Sequence, residues 1–273
     1  MTRVIERNFF RLVRAGAFND NEAIEPMSRF KWRRLFEMVE KQNVVPEFVK
    51  GAARHGLESY VAIPAELTEM AQHQLAARKP APRTDVRNFP EMNNRFLDRR
   101  LRKLIDNEHH SIDTSVESLE LLKIIVENSC NMLSSGISLH GIIRLGQYLR
   151  NKGDKVDFVK LDNWLEVLHL VRMAQLQGSV LIAVFGFEKD EVPFVHKEEK
   201  DAYAMAVRSI TNLANDTAEE ALEKGSDGEY RSNTSRKLRR NLSRSMRYYG
   251  FAPIETASSF LGKIGKSLKE MDE

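Results

Sequence analysis

Apolar side chains recur along this chain every three to four residues and almost never every two, so the pattern predicts helices rather than strands. Val4, Ile5, Phe9, Leu12 and Val13 open the chain at roughly helical spacing, and Gly16 with the polar run NDNE closes that helix. Ser28 is placed to cap a second helix. Its Trp32, Leu35, Phe36 and Val39 fall at i, i+3, i+4 and i+7, on one face. Asn43 breaks it, and Pro46 suits the first turn of a successor. IPAELTEMAQHQLAAR, with Pro64 near its start and strong helix formers after it, predicts a further helix.

KPAPRTDVRNFPEMNN, residues 79–94, carries three prolines and few apolar residues and reads as a linker. RFLDRRLRKLIDNE is a short charged helix, and Ser115 opens the next, whose Leu122, Ile125, Val126 and Met132 belong to a buried face. Residues 136–168, GISLHGIIRLGQYLRNKGDKVDFVKLDNWLEVL, read as two helices and a tight join. The first carries the stripe Leu139, Ile142, Ile143, Gly146 and Leu149, with Gly146 expected to let another helix approach. Gly153 is expected in the left-handed conformation, and Asp157 caps a helix with inner residues Phe158, Leu161, Leu165 and Leu168. MAQLQGSVLIAVFGF continues helically, EKDEVPF stops it, and residues 198–224 form one more long helix. The fold class is all-α: a multi-helix domain of antiparallel helices with little or no sheet. Its segments are 1–78 (N-terminal helices), 79–94 (linker), 95–228 (main helical region) and 229–273 (basic C-terminal helix and tail), expected to form one compact domain.

Charge adds a direction to this picture. The net charge is only +3, but from Glu229 onward ten Lys/Arg face five Asp/Glu. In YRSNTSRKLRRNLSRSMRYYG, Arg231, Arg236, Lys237, Arg239, Arg240, Arg244 and Arg247 sit with Tyr248 and Tyr249. On a helix 236, 240, 244 and 247 share a face. These seven residues are the candidate anion- or partner-binding set, suited to RNA, DNA or an anionic membrane. A solvated basic helix docked on the body is the plainer alternative. The last segment, SSFLGKIGKSLKEMDE, sets Phe260, Leu261, Ile264, Leu268 and Met271 on one side with lysines opposite.

Catalytic chemistry finds little support. The one cysteine, Cys130, lies in an apolar helical pattern and reads as a small core residue. His109 and His110 are adjacent and cannot face one ion from a helix, and no third ligand is spaced for it. Glu188/Asp190 and Asp154/Asp157 read as capping groups at helix ends. The expectation is no catalytic residue, no metal site and no cofactor. A lone cysteine points to a reducing compartment. An N-terminus with charges scattered among its apolar residues lacks a signal-peptide pattern. The expected location is cytoplasmic.

Two stretches carry a family resemblance. LFEMVEKQNVVPEFVKGA resembles the N-terminal helices of an uncharacterised bacterial nucleotidyltransferase-like family, with its hxxLAxxxxVxPLhxxxh pattern. GISLHGIIR, then DFVKLDNWLEVL, then SVLIAVFGFEKDEVPF resemble that family's C-terminal part, and ALEKGSDGEY is similar to its ILxxGNFG turn. The resemblance implies a helical shell around a small mixed sheet, with a Gly-Ser pair gripping nucleotide phosphate and an Asp-x-Asp strand holding magnesium. Here the Gly-Ser of Gly225 and Ser226 has no following Asp-x-Asp strand, and the proline-bearing linker is too short for a sheet of several strands. His140 and Arg144 stand where the family has Arg and Asp. The sequence therefore reads as a pseudoenzyme: a non-catalytic binding or scaffolding relative with a protein partner. The alternatives are a nucleic-acid-binding protein using the Arg-rich helix, a peripheral membrane protein using residues 236–271, and a nucleotidyltransferase with an unrecognised site.

Overall fold

The computed structural model describes residues 2–20, 22–55, 63–77, 89–111, 114–211 and 246–269. Among the described residues every regular element is a helix and no strand occurs, so the all-α fold is established. In chain order these are α1 (Thr2–Phe18), α2 (Arg29–Lys41), α3 (Val45–His55), α4 (Ala65–Ala77), α5 (Arg95–His109), α6 (Val116–Ser135), α7 (Leu139–Lys152), α8 (Phe158–Val167), α9 (Val171–Phe185), α10 (202–211) and α11 (Pro253–Lys269). The chain divides into two compact units. One comprises Met1–Arg83, Ala183–Gly186 and Tyr203–Ser226, and the other Thr84–Ile182, Phe187–Ala202 and Asp227–Glu273.

In the first unit α1 lies against α3. Two glycines set how close they come. A Cβ on Gly16 would fall far inside contact with the Glu47 carbonyl, and one on Gly51 would strike the Leu12 carbonyl. With no side chain at the crossing, the backbones themselves touch, and Phe9, Leu12, Val13, Phe48 and Ala52 are buried. α2 adds Trp32, Leu35, Phe36 and Val39, all buried, and the Phe36 ring meets Phe48 edge-on at 5.6 Å. Asn43, at φ 57°, turns the chain out of α2 as its sequence predicts. The segment after α1 then folds back along it. Arg7 forks onto Glu25 at 2.6 and 2.8 Å, and Arg11 reaches Glu22 at 2.8 Å and Glu25 at 3.0 Å. Arg14 bonds Asp20 at 3.0 Å and also Glu22. Beside them the buried Asn8 side chain exchanges two hydrogen bonds with the Glu25 backbone.

The second unit is built on α6, which is apolar around most of its circumference and packs against α7, α8 and α11. Its polar Asn128 and Ser129 are buried and hydrogen-bonded. Asn128 Nδ2 donates to Gly141 O and to Gln177 Oε1, both at 3.1 Å. Gln177 Nε2 in turn donates to Ile125 O at 3.1 Å and Ser129 Oγ at 3.0 Å. Buried amides demand such partners, and meeting them fixes the register of α6, α7 and α9. A Cβ at Gly141 would collide with Asn128 Oδ1, so the helix approach here depends on that glycine.

The predicted pair at 136–168 is α7 and α8, with Ser138 accepting from Gly141 N at 3.4 Å and Asp157 from Lys160 N at 3.0 Å. The join differs from expectation. Gly153 is right-handed, at φ −55° and ψ −38°, because α7 tightens directly into a 3-10 turn over Gly153–Lys155, which needs no left-handed residue. Phe158 is half-buried, while Leu161, Leu165 and Leu168 form the inner face. Among the described residues the glycines with positive φ are Gly136 and Gly186.

Candidate functional site

Of the seven residues singled out in the basic tail, Arg231, Arg236, Lys237, Arg239, Arg240 and Arg244 lie outside the described residues. Arg247 is described, half-buried in the turn before Tyr248, which is wholly buried, while Met246 and Tyr249 are exposed. Arg172 fixes this turn. Its Nη1 donates to Gly250 O at 2.6 Å, its Nε and Nη2 reach Glu199 at 3.1 and 2.8 Å, and its guanidinium lies 4.8 Å from the Phe251 ring centre. The chain is thereby delivered to α11 in a fixed position.

A second basic row, on α5, was read from the sequence only as a charged helix. Between Arg95 and Lys103 stand five basic residues and one acid. Leu97 and Leu101 are buried and fix which side of α5 faces the core. Arg95, Arg99 and Lys103 follow at i, i+4 and i+8 on the solvent side, with Phe96 beside them at 72% exposure. Arg102 is matched by Asp98 at 2.8 Å and Glu91 at 3.7 Å, and Arg100 donates to Val167 O at 3.2 Å. Among the described residues no carboxylate pairs with Arg95, Arg99 or Lys103. The signal was present in the local Lys/Arg density. Net charge hides it, because acids elsewhere before Glu229 cancel the local excess.

The start of α5 is tied to α11. Asn94 caps α5, its Oδ1 accepting from Phe96 N at 2.9 Å and Leu97 N at 3.1 Å, while its Nδ2 donates to Ser258 Oγ at 2.9 Å. The buried carboxylate of Glu255 accepts from Asn93 N at 2.9 Å, Asn93 Nδ2 at 3.1 Å and Asn94 N at 2.9 Å. α11 thus turns Glu255, Thr256 and Ser259 inward, below the buried Ala252 that precedes it. Ile254, Ser258 and Leu261 share the opposite side at i, i+4 and i+7, where Ile254 is 39% and Leu261 67% exposed. Exposed apolar tips on α11, and cations on α5 that meet no carboxylate among the described residues, therefore belong to helices whose starts are joined by Asn93 and Asn94 to Glu255 and Ser258. Such a surface can attract phosphate or carboxylate oxygens and offer apolar side chains for burial.

Other candidate chemistry resolves into structure. Cys130 is half-buried with Sγ 3.8 Å from Glu91 O. Burial, with Glu255 adding to it, pushes its thiol up to about 12, so it stays protonated at neutral pH. His109 and His110 are exposed at the end of α5. Of the expected capping groups, Glu188 caps through a reciprocal box with Glu191 rather than with Asp190, and Asp157 caps α8. Among the described residues no group of three or more His, Cys, Asp or Glu is placed to hold a metal ion, and no helix is long and apolar enough to cross a membrane. Comparison with protein families, curated proteins and solved structures gives no match to this chain.

Proposed function

We propose that this chain is a non-catalytic helical binding or scaffolding protein that engages its partner through the α5–α11 face of the second unit. The observation that carries the reading is Phe96, largely exposed and flanked by Arg95, Arg99 and Lys103, none of which has a carboxylate partner among the described residues. Aromatic residues and arginine together are what binding surfaces concentrate, and neither has an internal task here. The same proposal keeps the sequence-level kinship to the helical shell of a nucleotidyltransferase-like family, and the cytoplasmic location.

Two measurements test it on the full chain. Affinity capture with the wild type against Phe96→Ala and Leu261→Ser should yield bound components that both variants lose, with circular dichroism unchanged. Incubation of the pure protein with nucleoside triphosphates, magnesium and candidate acceptors should give no transfer. Magnesium-dependent nucleotide transfer by pure protein, abolished on chelation, overturns the reading.

A further inference from the structure

We propose that the α5–α11 face docks on an anionic lipid bilayer, a step that rests on the binding reading above and names its partner. The argument is the coexistence of two chemistries. Arg95, Arg99 and Lys103 form a cationic row on α5 that meets no carboxylate among the described residues, and between Arg95 and Lys103 basic residues outnumber acids five to one. This charge is complementary to an anionic leaflet, where each basic residue near the surface strengthens attachment by about fivefold. Ile254 and Leu261 supply what a nucleic acid would not use, since neither phosphates nor stacked bases gain from exposed aliphatic tips, and Phe96 adds an aromatic ring to them. A bilayer interface uses both, with cations at the headgroups and apolar side chains at the acyl boundary. The Glu255 and Asn94 hydrogen bonds supply rigidity, because they hold the start of α5 and the start of α11 in one arrangement. No order has to be imposed on these two helix starts when they bind.

The test is co-sedimentation of the full chain with phosphatidylcholine vesicles that contain phosphatidylglycerol, against phosphatidylcholine alone, over a salt series. The chain should pellet with the anionic vesicles only, and less as salt rises. Leu261→Ser and Phe96→Ala should each weaken partition about tenfold, and Arg95→Gln with Arg99→Gln about fivefold per charge removed. All four positions are exposed, so folding is retained, as circular dichroism would confirm. Failure to pellet, equal pelleting with neutral vesicles, or equal pelleting of the variants overturns the proposal. So does loss of pelleting only when Arg236, Arg240 and Arg244 become Ala, which assigns the attachment to the tail. If vesicles fail while the same α5 and α11 variants lose an RNA shift or a captured protein, the bilayer is refuted and the binding face survives. If none of these probes responds to the variants, both readings fall.

Discussion

Two rows of basic residues at helical spacing, one on α1 and one on α5, are treated differently by the protein. On α1, Arg7, Arg11 and Arg14 are met by Asp20, Glu22 and Glu25 from the segment that follows the helix. On α5, Arg95, Arg99 and Lys103 meet no described carboxylate, though acids are available nearby: Asp98 and Glu91 are both spent on Arg102. The spacing is alike and the surroundings are not. A matched row is internal structure, its charge cancelled where it stands. An unmatched row keeps its field and can act on something else. Counting arginines therefore says less about function than asking which of them the fold has already satisfied.

The comparison holds only while each row stays on a fixed helix, and the largest expected effects come from loosening those helices. Gly51→Ala would drive a methyl group into the Leu12 carbonyl at the α1–α3 crossing. Backbone cannot rotate aside as a side chain can, so the cost should reach about 3 kcal/mol in urea denaturation. Loss of the α1 ion pairs should accompany it. A change below about 1 kcal/mol would mean the crossing is not tight.

Glu255→Ala is the matching cut in the second unit. It removes the acceptor of three N–H groups and leaves the Asn93 and Asn94 amides without their partner. A loss of about 2 kcal/mol is expected, with faster hydrogen exchange at those two amides. Exchange rates equal to the wild type would show that Glu255 does not hold the start of α5.

The extent to which the sequence foretold all this follows the range of each interaction. Trp32, Leu35, Phe36 and Val39 announce their helix because burial on one face repeats within four residues. Asp157 announces α8 because a cap bonds an amide three residues on, whereas Ser28 holds the cap position of α2 without a side-chain cap bond. Gly153 misled because glycine is compatible with a left-handed turn without requiring one. The Glu255 clamp spans 162 residues, and no local periodicity encodes it. Asn128 likewise looks like any polar residue on a helix until Gln177 and Gly141 arrive beside it. The α5 row was legible as composition but not as exposure, which only burial of Leu97 and Leu101 decides.

Acid titration sharpens the contrast without disturbing the fold at neutral pH. The Arg7 guanidinium, hydrogen-bonded to Glu25, holds that carboxyl below the usual range, and Arg150 does the same for Glu191. A carboxylate with a lowered folded pKa contributes stability that is complete above its unfolded value. The contribution is lost as pH falls through the folded one. Stability should therefore decline below about pH 4, and Arg7→Gln should flatten part of that decline. Arg95→Gln should leave the acid limb unchanged, since no described carboxylate depends on it. Equal acid limbs for wild type and Arg7→Gln would show that the α1 pairs do not form in solution.

The smallest effect is the most discriminating. Arg95→Gln with Arg99→Gln should change stability by no more than about 0.5 kcal/mol in urea, because both side chains are exposed and neither neutralises an acid among the described residues. Two adjacent like charges on one helix even repel slightly, so the sign can favour the variant. Arg11→Gln should cost measurably more, since Arg11 alone bridges Glu22 and Glu25 and its removal leaves the folded-back segment with fewer anchors. Removing charge from α5 should thus cost the fold nothing and cost vesicle attachment heavily, while the same change on α1 should do the reverse. If the α5 double variant unfolded as readily as the α1 variant, its arginines would have a structural partner after all, and the distinction between the two rows would disappear.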